Sequence, residues 1–175
     1  MSGTRMSSDN LFLRDVVAVR ASARGYLAGG PGAGAAIGLL QAALAIEIAC
    51  VWRYTMMSVS VAGLRDDLVG AEFQEQANDE RRHVRMVAER IEQLGGVPDF
   101  SPEGLTAHQA VAYGTDNDFD AMVAQNLVAE QSVVEYYRDL IGYFQASDPA
   151  TAEMLADILE DEEDHATDMH DLVRQ

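Results

Sequence analysis

Two short patterns in this 175-residue chain repeat the same chemistry. Glu80 with His83 and Glu162 with His165 are each a Glu-x-x-His, preceded by Asp79 and Asp161. Residues three apart share a helix face, so both side chains of a pair reach one point. Two further acids stand alone among apolar residues. Glu47 has Ala43, Leu44, Cys50 and Val51 at helical neighbour positions, and Glu130 has Leu127, Val133 and Val134. Burying an isolated carboxylate costs several kcal/mol or forces it neutral, and a bound cation removes that penalty.

The two halves keep one register. Glu47 to Glu130 and Tyr54 to Tyr137 are both 83 residues, and Glu80 to Glu162 and His83 to His165 are both 82. Each half therefore supplies one lone Glu, one Glu-x-x-His and one Tyr two turns after the lone Glu. Four carboxylates and two imidazoles suit two ions of intermediate hardness, iron or manganese, with zinc able to stand in for them. Glu80 and Glu162, each paired with a His, are placed to bridge the ions, with Glu47 and Glu130 terminal. Asp79 and Asp161 are candidates to accept the second N–H of a ligand His and fix its tautomer. His108 and His170 lack such a setting and receive no role.

These residues need elements to carry them. No Pro occurs between Pro31 and Pro98 or between Pro102 and Pro149, and both stretches carry 3.6-residue periodicity. Four long helices are predicted, over 35–60, 68–94, 118–145 and 149–173. Gly95-Gly96 before Pro98 stops the second, and Ser147-Asp148-Pro149 starts the fourth. A further helix is predicted over 8–26, within an N-terminal extension of residues 1–34, and the bundle proper spans 35–175. The connection over 95–117 is unusually long for a compact domain, with room for a short helix from Pro102 to Tyr113. It lets the third helix run parallel to the second. The fold class is all-α, a four-helix bundle with one long crossover and an extra N-terminal helix.

Composition narrows the function. Twelve Lys and Arg against 29 Asp and Glu give a net charge of −17. That opposes binding to nucleic acid or to anionic lipid and favours cations. Hydrophobic residues at 48% suffice for a core. The most apolar window, Ala35 to Val51, is at the lower edge of a membrane span, and none is expected. Arg14, Asp15 and Arg20 interrupt any signal-peptide core. A single cysteine, Cys50, excludes an intrachain disulfide framework and a Cys-ligated cluster. It lies one turn from Glu47, within reach of the site, but is expected to be a small core residue, and the expected compartment is the cytoplasm.

From Ala35 to Leu172 the chain resembles the ferritin-like superfamily, nearest to bacterioferritin and to Dps-like proteins with a di-iron site inside each subunit. All six positions match that family's ligand set: Glu47, Glu80, His83, Glu130, Glu162 and His165. Tyr54 and Tyr137 match as well. The resemblance implies these six as both metal ligands and catalytic residues, two iron ions per subunit, and a hollow homo-oligomeric shell. It implies a ferroxidase that oxidises Fe(II) with O2 or H2O2 and stores Fe(III). The alternative for the same ligands is a di-iron oxygenase or hydroxylase acting on an organic substrate.

The chain departs from the family at three places. Arg81 stands where bacterioferritins carry a haem-ligating Met, so no haem is expected. The cysteine pair of thiol-containing Dps-like proteins is missing. Only ten residues follow His165, leaving no fifth helix of the kind that packs at the four-fold axis of 24-subunit shells. A dodecamer is therefore favoured over a 24-mer. Twelve copies at −17 would carry −204, a field that attracts cations and weakens with salt.

Overall fold

The computed structural model of the protein describes residues 32–62, 67–101 and 119–173. Among the described residues there are four helices: α1 (Ala33–Ala62), α2 (Asp67–Gln93), α3 (Phe119–Phe144) and α4 (Pro149–Val173). No strand occurs among the described residues. Every boundary lies within two residues of its predicted position. The predicted helix over 8–26, the short crossover helix over 102–113, and His108 lie outside the described residues.

The α1–α2 and α3–α4 hairpins pack into one bundle, with α2 against α4 and α1 against α3. Leu39 of α1 faces Tyr136 of α3, whose hydroxyl donates to the Leu39 carbonyl at 2.9 Å, while Arg53 reaches Asn126. α1 and α3 are thus antiparallel, and since α1 is also antiparallel to α2, α3 runs parallel to α2 as the long crossover requires.

Local chemistry sets the helix ends. At the end of α2, Gly95 adopts φ 81° and the Gly96 N–H donates to the Ile91 carbonyl at 2.9 Å. With the Gly95 N–H on the Glu92 carbonyl, this is a Schellman close, and only glycine takes that φ without strain. The chain leaving α2 is pinned to α1 by Gln41, whose amide donates to the Val97 carbonyl and accepts from the Asp99 N–H. α4 opens with Asp148 as N-cap, accepting from the Thr151 N–H at 3.2 Å. Arg90 of α2 grips both oxygens of Asp148 at 2.8 Å, tying the end of α2 to the start of α4.

α1 is the most apolar element. Over Gly34–Ser60 it is long and apolar enough to cross a membrane by length and composition, more than the shorter window suggested. Its placement explains that composition. Leu39, Leu40, Ala43, Leu44 and Ile46 are buried in the bundle, and so are Glu47 and Arg53, which hydrocarbon would reject. α2 is instead amphipathic, with Phe73, Ala77, Val87 and Ile91 inward and charges outward.

Candidate metal centre

All six predicted ligand residues meet in the bundle interior. Glu47, Glu80, His83, Glu130, Glu162 and His165 are buried, one or two from each helix. Donor atoms of Glu47, Glu80, His83 and Glu162 all lie within 4.8 Å of one another, as do those of Glu130, Glu162 and His165. Glu162 belongs to both groups, and Glu80 Oε1 lies 3.4 Å from His165 Nδ1 as well as joining the first group. The two Glu-x-x-His carboxylates therefore stand between the two imidazoles, whose ring centres are 6.3 Å apart.

The contacts do not make a finished hydrogen-bond network. His83 Nδ1 faces three carboxylate oxygens: Glu162 Oε1 at 3.1 Å, Glu47 Oε2 at 3.2 Å and Glu80 Oε2 at 3.3 Å. One ring nitrogen carries one proton and can satisfy one of them. Glu80 Oε1, both oxygens of Glu130, both of Glu162 and both nitrogens of His165 make no hydrogen bond. Buried polar atoms are normally paired, and this many orphans at one place leave donors that could hold an ion. The donor set fits two divalent ions of intermediate hardness.

Electrostatics agree. Burial, together with the neighbouring carboxylate Glu47, pushes the Glu80 carboxyl well above its usual range. Burial and the nearby Glu162 do the same to Glu130. Burial with Glu80 and Glu47 raises Glu162 from 4.5 to about 8. Glu47 is the exception. Burial pushes it up, but the hydrogen bond and charge of His83 outweigh that and leave it below its usual range. On His83 burial acts downward, and the close carboxylates of Glu162, Glu47 and Glu80 overcome it and drive the ring upward. Without an ion, the cluster lowers its own negative charge by holding protons.

The surrounding residues orient the donors. His83 Nε2 donates to Asp161 Oδ2 at 3.0 Å, which leaves Nδ1 as the nitrogen turned to the carboxylates. Asp161 also accepts from Arg82. In the other half His165 Nε2 faces Asp79 Oδ2 at 3.7 Å, too far for a hydrogen bond. The aspartate preceding each Glu thus faces the histidine of the opposite helix, and Asp161 bonds its one, a crossing that spacing along one helix does not reveal. The Tyr137 hydroxyl donates to Glu47 Oε1. Tyr54 lies edge-on to the His165 ring and stacks on Phe73. Arg81 bonds outward, to the Ala77 carbonyl, Asn78 and Thr55. His170 is exposed beside Asp171, away from the cluster.

Cys50 is in the core, as expected, and its Sγ lies within 4.8 Å of donor oxygens of Glu80 and Glu130, the contact that its position one turn after Glu47 allows.

The comparisons with known proteins bear on the whole arrangement. A family model described as the ferritin-like domain matches residues 37–175. Bacterioferritin from Desulfovibrio desulfuricans is 29% identical over 133 residues, spanning 75% of this chain and 70% of that protein. The X-ray structure of the bacterioferritin from the same species, described by its diiron site in different catalytic states, superposes with a TM-score of 0.72. It covers 81% of this chain and 80% of that one at 24% identity, a likeness of fold. The bacterioferritin-related protein of Bacteroides fragilis, described as a dodecameric thioferritin, gives a TM-score of 0.70 at 28% identity, covering 86% and 90%.

Proposed function

This chain belongs to the ferritin-like family, and from that premise we propose that it is a ferroxidase and iron-storage protein working at a dinuclear site inside each subunit. The observation that carries the reading is the buried cluster of four carboxylates and two imidazoles whose unpartnered atoms converge. Fe(II) is the substrate. Two Fe(II) ions give one electron each, which with two protons takes O2 to H2O2 or H2O2 to two waters, and the ions leave as Fe(III) for storage.

The residues divide the work. Glu47 and His83 hold one ion, Glu130 and His165 the other, and Glu80 and Glu162 bridge them. The raised carboxyls of Glu80, Glu130 and Glu162 release protons as iron enters, so loading is favoured by rising pH. Asp161 keeps His83 Nδ1 turned inward, and Tyr137 holds Glu47 in place. The bundle around them, from Leu44 to Ile158, excludes bulk water. Manganese or zinc would occupy the same donors. Haem by the usual methionine route is not part of the proposal, because Arg81 occupies that position and is engaged with Thr55.

Assembly into a shell, a dodecamer rather than a 24-mer, completes the proposal. The dodecameric relative supports it. So does the outer face of α1, where Trp52 and Val59 are 54% and 74% exposed and lie two turns apart on one stripe. Apolar side chains so arranged favour contact with another copy. The cytoplasm is the proposed compartment.

Stopped-flow oxidation of Fe(II), with the oligomer mass from light scattering, tests the reading. The parent should oxidise Fe(II) rapidly as a dodecamer, and Glu80→Ala should lose fast oxidation while keeping its helical circular dichroism. An undiminished rate in Glu80→Ala would refute the site, and a stable monomer would refute storage.

A further inference from the structure

The two halves of the cluster are not equivalent. Glu47 accepts from the Tyr137 hydroxyl and lies 3.2 Å from His83. Glu130, its counterpart one repeat later, is fully buried with neither oxygen hydrogen-bonded. What stands near Glu130 instead is a thiol. Cys50 Sγ, a Glu80 oxygen and a Glu130 oxygen lie within 4.8 Å of one another. The position equivalent to Cys50, three residues after Glu130, is Val133, so only one half carries sulfur.

These distances match a shared ion. Metal–sulfur bonds of about 2.3 Å and metal–oxygen bonds of about 2.1 Å place two donors on opposite sides of one ion roughly 4.4 Å apart. Glu130 also groups with Glu162 and His165. Sharing Glu80 and Glu130, the thiol is on the Glu130 side of the cluster, while Glu162 and His165 fall in the neighbouring group. It is buried at 1% exposure, where an idle polarizable group and an unsatisfied carboxylate share a wall.

Resting on the dinuclear reading above, we propose that Cys50 is a thiolate ligand of the ion held by Glu130 and His165. On binding, the S–H bond breaks, its proton leaves to solvent, and a sulfur–metal bond forms; no electron changes hands. One soft donor among oxygen and nitrogen donors tilts that position toward Fe(II), Co(II) and Zn(II) over Mn(II) and Mg(II). The two ions then differ in ligand set, one with oxygen and nitrogen only and one with sulfur added.

Cobalt(II) reads this directly, because thiolate-bound cobalt has a near-ultraviolet charge-transfer band that oxygen and nitrogen ligands do not give. Metal-free parent, Cys50→Ser and Cys50→Ala would be titrated anaerobically, with bound ions counted by equilibrium dialysis. The expected result is two cobalt ions per subunit in all three proteins. The charge-transfer band should appear in the parent, saturate at one thiolate-bound ion per subunit, and be absent from both variants. The chain has one cysteine, so the band has one source. Two bound cobalt ions in the parent without the band would overturn the thiolate ligand and leave the dinuclear site standing. No cobalt bound at all would overturn both.

Discussion

Replacing Glu162 by Gln in the metal-free protein should make the protein more stable while weakening its hold on metal. Glu162 is fully buried, and burial with Glu80 and Glu47 raises its carboxyl from 4.5 to about 8. A raised carboxyl keeps its proton on folding, whereas the unfolded chain loses it above pH 4.5. The folded state binds more protons, so this group's contribution falls as pH rises from about 4.5 to about 8. At pH 7 the interval above the ordinary value is about 2.5 pH units, or about 3 kcal/mol at 1.36 kcal/mol per unit. Gln has the same shape and no charge; its amide can donate to a carboxylate while its carbonyl oxygen accepts from His83 Nδ1, which lies 3.1 Å from Glu162 Oε1. Urea unfolding after chelator treatment should therefore show the variant about 3 kcal/mol more stable at pH 7, with the difference shrinking toward pH 5. Saturating Mn(II) should close most of that gap, since the parent gains about 2.7 kcal/mol at a hundredfold excess over Kd and the variant has lost a bridging oxygen. A metal-free variant less stable than the parent at pH 7 would refute the argument, because it would make Glu162 a structural bond rather than a strained ligand.

Other expectations follow from particular contacts. Asp161→Ala should weaken metal binding by about tenfold or more, since it frees the His83 ring, and Asp79→Ala should do less, its His165 contact being 3.7 Å; isothermal titration with Mn(II) compares them. Asp148→Ala should cost about 1–2 kcal/mol at pH 7 by removing the α4 cap and the Arg90 grip. Burial acts upward on Asp148, but Thr151 and Arg90 hold its carboxyl below 3.8, so its stabilisation is present above that value and lost as pH falls through the depressed one. Parent and variant should therefore converge in acid, as followed by thermal unfolding. Gly95→Ala should cost about 1 kcal/mol through its positive φ. Gly96→Ala should also destabilise, its Cβ falling 2.8 Å from Ile91 Cγ2 and 3.2 Å from the Ile91 carbonyl oxygen; equilibrium unfolding in urea measures both.

The residues that could be read from the sequence are those whose partners lie on the same helix. Glu-x-x-His spacing puts Glu80 with His83 whatever the bundle does, and the equal offsets of Glu47 and Glu130 make a second copy of that geometry visible. Pro149 and Gly95-Gly96 mark helix ends by backbone chemistry alone. What spacing does not carry is how one helix is rotated and slid against another. That rotation decides that Asp161 serves His83 rather than His165, and that Tyr137 bonds Glu47 rather than its neighbour Glu130. It also brings Cys50 against Glu130 across the bundle, and places Arg90 over the cap of α4. Arg53 is a similar case: it is a cation in an apolar helix, and only the packing of α1 on α3 gives it a buried partner, Asn126.

The central claim is that six residues from four helices hold two metal ions in each subunit. Anomalous diffraction at the iron edge, from crystals soaked anaerobically with Fe(II), tests it most directly. Two iron peaks per subunit are predicted, one touching Glu47 and His83, the other Glu130 and His165, with Glu80 and Glu162 between them. Iron bound only at the protein surface, with the buried cluster empty, would contradict the account.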